Sequence, residues 1–124
     1  MALKGKNLAS SSSLNDDWKG PWGEIRSSEV RFIHFVRDAH GIEEVWTYPY
    51  ETLVRWVFKK SAPQQELQIL AGGDLITIRG YGLEKLLAPL QEKCLARVAQ
   101  QMVRFAALEP NGCCVVEIKI EPSR

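Results

Sequence analysis

The amino-acid sequence predicts an α+β domain: a curved antiparallel sheet of about five to six strands in a meander, one kinked helix after the fifth strand, and a final C-terminal strand. Three observations predict it. Between residues 29 and 79, runs of β-branched and aromatic residues alternate with short turn-forming clusters. From Leu83 the apolar period changes to that of a helix. At residues 113–121 a strict two-residue alternation returns. Short connections between consecutive strands imply antiparallel pairing.

Residues 1–23 read as a flexible polar tail, and 24–124 as a single α+β domain. "SSSS", "NDD" and "KGPWG" are polar or turn-forming and carry no period. Trp18 and Trp22 stand out, but Gly20 and Pro21 between them rule out a shared helix face. They suit a cover over an apolar patch of the domain, or a docking motif for a partner.

The first strand is expected in "EVRFIHFVR" and the second in "IEEVWTYPY", joined by the turn "DAHG", where Gly41 is available for a left-handed position. Pro49 marks a strand end or a sheet edge, because it has no N–H to donate. "TLVRWVFKK" makes a third strand, with Val54, Trp56 and Phe58 on one face and Leu53, Arg55 and Val57 on the other. After the loop "SAPQQ", "ELQIL" points Leu67 and Ile69 inward. The glycine pair of "AGGD" suits a primed hairpin turn into "LITIR".

Leu83, Leu86, Leu87, Leu90 and Cys94 then share one helical face. Pro89 within it predicts a kink or the start of a second segment. The spacing continues through Val98 and Met102 and carries the predicted helix to Phe105. "EPNG" breaks the chain, and "CCVVEIKIE" closes it with Val116, Ile118 and Ile120 inward.

The 124 residues fit one domain, and 45% hydrophobic with 25% charged residues is the composition of a soluble globular protein. A net charge of +1, with both signs mixed along the chain, gives no electrostatic footprint for nucleic acid. Cys94, Cys113 and Cys114 are odd in number and two are adjacent, which favours free thiols in a reducing, cytoplasmic setting. "MALKGKNLASSSSL" reads as neither a secretion signal nor a membrane anchor.

Gly80-Tyr81-Gly82 between a strand and a helix has the outline of a phosphate cradle. The dinucleotide fingerprint wants a third glycine where Lys85 stands, together with a parallel βαβ unit. A structural turn is the simpler reading, with Gly82 as N-cap of the helix and Gly80 reversing the chain. No cofactor is expected. Trp46, Tyr48, Tyr50 and Trp56 form an aromatic cluster suited to the sheet core or to a binding patch, with Glu43, Glu44 and Glu51 offsetting the nearby basic residues. His34 reads as a half-buried strand residue and His40 as a solvated turn residue. Neither falls into a zinc-ligand spacing or a local nucleophile signature, so no metal and no catalytic residue is expected.

The outline of an antiparallel sheet with a late helix resembles bacterial domains of the pleckstrin-homology fold; the strand after the helix departs from it. The expected role is non-enzymatic contact with another protein or a second copy, with no nucleic acid and no membrane span. The rival expectation is a small-ligand or lipid-headgroup site at the helix start, built from Arg79, Tyr81, Gly82 and Lys85.

Overall fold

The computed structural model of the chain describes residues 17–60, 64–101 and 112–123. Strands dominate: β1 (Trp18–Gly20), β2 (Gly23–Ile25), β3 (Phe32–Ala39), β4 (Ile42–Pro49), β5 (Leu53–Lys60), β6 (Gln65–Ala71), β7 (Asp74–Tyr81), β8 (Leu95–Ala99) and β9 (Cys114–Pro122). A 3₁₀ turn, Tyr50–Thr52, separates β4 from β5. Another, Leu83–Leu86, leads into the short helix α1 (Leu87–Gln91).

The predicted hairpins form where the turn residues demand them. His40 and Gly41 both take positive φ between β3 and β4, and so do Gly72 and Gly73 between β6 and β7. Antiparallel pairing of β5, β6 and β7 follows, as the short connections imply.

The meander itself is not continuous. The strands divide into a five-stranded sheet, ordered β1-β2-β8-β3-β4, and a four-stranded sheet, ordered β9-β7-β6-β5. The chain changes sheet at Tyr50–Thr52, so β4 and β5 are consecutive without pairing. Tyr50 explains the break. It is buried, its hydroxyl donates to the Leu95 carbonyl at 2.6 Å, and its N–H donates to the Arg31 carbonyl at 2.9 Å. A residue held in this way by the five-stranded sheet turns the next strand out of it.

The long helix is also corrected. α1 ends at Gln91, Lys93 adopts a positive φ, and Leu95–Ala99 is strand rather than helix. This strand pairs antiparallel with β2 and parallel with β3. Pro89 lies in the first turn of α1, where no intrahelical N–H is required, so it produces no separate segment. Leu83, Leu86 and Leu90 are fully buried, as their spacing predicted. Met102 and Phe105 lie outside the described residues.

Two bulges shift the predicted faces. One between Leu53 and Arg55 turns Leu53 toward the core and leaves Val54 exposed. The other, between Val115 and Glu117, makes Val115 and Ile118 the buried pair instead of Val116 and Ile118. Residues 18–25, partly within the stretch read as tail, form a hairpin on β8. Trp22 is buried there and stacks on Trp18 at 4.6 Å.

Inward side chains from both sheets and the helix form one cluster. Ile33, Phe35 and Val98 come from the first sheet; Leu67, Ile69, Ile76 and Ile78 come from the second. Burying side chains of this kind stabilises by about 1.5–3 kcal/mol each before conformational entropy is set against it.

Candidate functional site: two open strand edges

A sheet edge leaves a row of backbone N–H and C=O groups without strand partners. The two sheets have four edges, and they are not alike. β1 is three residues long. β9 is covered: the Gln101 N–H donates to the Val115 carbonyl at 2.8 Å, the Val115 N–H donates back to Gln101 Oε1 at 3.0 Å, and the Ile118 N–H reaches Gln100 Oε1 at 3.4 Å. The remaining edges are β4 and β5, each eight residues long. No described residue outside their own sheets pairs with them as a strand. Both carry exposed β-branched side chains: Ile42 is 65% and Val45 58% exposed on β4, and Val54 is 71% and Val57 44% exposed on β5.

The predicted aromatic residues sit on or beside these edges, but mostly face the core. Tyr48 is buried, packs edge-on against Phe35 at 5.9 Å, and donates its hydroxyl to Asp74 Oδ2 at 2.7 Å, linking the two sheets. Tyr50 is buried at the point where the chain changes sheet. Trp46 and Trp56 are half-buried and pack against the core cluster from β4 and β5. The Trp46 indole N–H donates to Glu44 Oε1 at 2.9 Å, and the Arg37 guanidinium lies 5.8 Å from its ring centroid. The hydrogen bond from Trp46, then that from Arg37, holds the Glu44 carboxyl below its ordinary range. The exposed valines on these edges are not among the residues that the sequence pattern marks as a site. Their parity with Glu43 and Thr47, or with Arg55 and Lys59, is the signal that could have found them.

Arg79, Tyr81 and Lys85 line neither of the clefts described below. Arg79 lies in a charge row across the four-stranded sheet, where Lys59–Glu66 spans 3.8 Å, Arg79–Glu66 3.2 Å and Arg79–Glu117 3.0 Å. Tyr81 and Lys85 are exposed. Gly82 is an N-cap, with φ 65°, but the element it caps is a 3₁₀ turn, and the Leu83 N–H already donates to Gln65 Oε1 at 2.7 Å. Gly80 does not reverse the chain. It stays within β7 because β9 passes against it too closely for a side chain: a Cβ there would lie 1.9 Å from the Cys114 carbonyl oxygen.

Shallow clefts among the described residues include one of about 240 Å³ between Arg31, Phe32, Glu51 and Lys93 and another of about 230 Å³ between Arg55, Val57, Leu70 and Leu75. Neither contains Arg79, Tyr81 or Lys85. His34 Nδ1 lies 2.7 Å from Thr47 Oγ1 on the five-stranded sheet, and His40 is exposed in its turn. Among the described residues no group of three or more His, Cys, Asp and Glu is placed to hold a metal, and no helix is long and apolar enough to cross a membrane.

Cys94, Cys113 and Cys114 are buried. Burial, with the neighbouring Cys114 next in weight, pushes the Cys113 thiol from 9.0 up to about 12. Burial also raises the Tyr48 and Tyr50 hydroxyls above their ordinary range. In the unfolded chain these groups lose their protons first as pH rises, so the unfolded state then binds fewer protons and stability falls. Between pH 9.0 and about 12, Cys113 alone is expected to lower stability by up to about 1.4 kcal/mol per pH unit. Urea midpoints measured across that window check this, and a flat profile contradicts it. Native protein at pH 8 is likewise expected to resist iodoacetamide at Cys113, with labelling appearing on denaturation.

Comparison of the chain with protein-family models, with curated proteins and with solved structures finds no match in any of the three.

Proposed function

We propose that this is a non-enzymatic domain that works by protein contact through the edges of β4 and β5. The observation that carries the reading is the contrast between edges. One is very short and one is capped by glutamines, while two long ones have no partner strand among the described residues and carry exposed valine and isoleucine. Uncovered edges of this kind invite unwanted pairing, and folds ordinarily blunt them. An added strand supplies the missing main-chain hydrogen bonds, and exposed side chains on the edge select which strand is accepted.

A photo-reactive amino acid at Val45 or Val57, introduced into the full chain in its own cells, tests this. Discrete protein adducts are expected from both positions and not from Lys119, which is exposed on β9. If the three positions give the same pattern, or Val45 and Val57 give none, the contact reading fails.

A further inference from the structure

We propose that the partner is a second copy of this chain, with β4 of each copy pairing antiparallel with β5 of the other. This rests on the proposed contact function and narrows it to one occupant. The first argument is charge. β4 carries Glu43 and Glu44 and no basic residue; β5 carries Arg55, Lys59 and Lys60 and no acidic one. Glu43 stands directly across from Asp38 on β3, and both are exposed. Like charges so placed repel, and neither has an ion-pair partner among the described residues. On the other edge, Arg55 faces Leu70 and Lys60 faces Gln65, so neither meets a carboxylate across its strand pair. Lys59 does reach Glu66 at 3.8 Å, but Glu43 on one edge and Arg55 and Lys60 on the other face no opposite charge across their strand pairs, and the signs of the two edges are opposite.

The second argument is register. Both strands have eight residues, and aligning them antiparallel along their full length places Glu43 opposite Lys59, Val45 opposite Val57 and Thr47 opposite Arg55. All six of these side chains are exposed in the separate chain. On the other face the same register sets Trp46 opposite Trp56, both half-buried. A shift by one residue sets outward side chains of one strand against inward ones of the other. The bulge of β5 falls at Leu53–Arg55, leaving the stretch through Lys60 regular.

The third argument is closure. Only Tyr50–Thr52 separates the strands, so the end of β4 lies within about 14 Å of the start of β5. One end of each edge therefore lies at the same corner of the molecule. A two-fold dimer satisfies both junctions together: the same surface serves on each copy, and the assembly closes. Pairing β4 with β4 along its full length would instead set Glu43 opposite Tyr48 and Glu44 opposite Thr47, leaving both carboxylates without a basic partner.

Sedimentation equilibrium of the full chain over a concentration series tests this. The expected mass is twice the 14.0 kDa of one chain. Glu43→Lys alone and Lys59→Glu alone are each expected to weaken the dimer about tenfold, because each sets like charges at both junctions. Mixing the two variants is expected to restore wild-type affinity, because every junction in the mixed dimer is again Lys against Glu. Should Lys59→Glu disturb its row with Glu66 and fail to fold, Val45→Glu mixed with Val57→Lys makes the same complementary test at two exposed positions. Raising NaCl from about 0.1 M to about 1 M is expected to weaken the wild-type dimer.

A monomer at every concentration, a mass growing beyond the dimer, or variants that fail to rescue one another overturns the proposal. Protection of β4 and β5 amides from exchange in a monomer overturns it too, by assigning the edges to a segment of the same chain. If the chain is monomeric but Val45 and Val57 cross-link to other proteins, self-pairing falls and the contact reading stands. If they cross-link to nothing, both fall.

Discussion

Gly80→Ala is expected to destabilise the domain by about 3 kcal/mol, a large share of the total stability of a protein this size. The new Cβ would sit 1.9 Å from the carbonyl oxygen of Cys114. That atom belongs to backbone, so no rotamer change relieves the clash. It is also fixed in place, because Cys114 pairs with Tyr81 and Val115 with Gly80. Gly82 meets the same neighbouring segment: its φ is 65°, and a Cβ there would lie 2.4 Å from the Gly112 carbonyl oxygen. The glycines of Gly80-Tyr81-Gly82 are thus accounted for by the close passage of residues 112–114. Chemical denaturation of Gly80→Ala beside Gly73→Ala checks the argument. Gly73 has φ 83° but nothing within 4 Å of an added Cβ, so only the backbone term applies, about 1–2 kcal/mol. If Gly80→Ala proves no worse than Gly73→Ala, close strand passage is not the reason for the glycine.

Phe35→Ala is expected to cost about 3–5 kcal/mol. Phe35 is fully buried, stands on a strand paired on both sides, and meets Tyr48 edge-to-face with an interplanar angle of 67°. Truncation leaves a cavity bounded by two sheets whose strands cannot collapse into it. Phe35→Leu keeps much of the volume and is expected to cost less. Val45→Lys, on the next strand but pointing outward, is expected to fall within about 0.5 kcal/mol of wild type when both are dilute enough to be monomeric. Guanidinium denaturation of the three variants provides the comparison. A Val45→Lys loss as large as that of Phe35→Ala would mean that β4 is not an exposed edge. The same Val45→Lys protein therefore separates loss of contact from loss of fold.

How far each part was legible depends on where its determinants lie. The two hairpins could be read because a two-residue turn needs particular backbone conformations, and His40-Gly41 and Gly72-Gly73 supply them. The buried helix face could be read because Leu83, Leu86 and Leu90 repeat at the helical period. The helix end could not. Leu95, Ala96, Val98 and Ala99 are all buried in β8, and only Arg97 interrupts them. A strand covered on both faces loses its alternation, and its apolar residues continue the helical spacing that precedes them. The two bulges are hidden for a related reason: each adds one residue on one strand, reversing parity without a composition signal. The sequence places the aromatic cluster near neighbouring strands. Its direction depends on which face of each strand the other sheet covers, and the only signal for the exposed Val45 and Val57 is their parity with charged and polar neighbours.

Local chemistry in the chain determined the strands of the two hairpins, their tight turns and their antiparallel pairing, because those choices depend on residues a few positions apart. The division into two sheets, the strand at Leu95–Ala99 and the identity of the open edges were decided only by the tertiary structure. Each depends on partners far apart in sequence, as when Glu24 meets Arg97 and His34 lies beside that same residue. Such pairings close long loops against chain entropy, and they become favourable only when the core between the sheets forms with them.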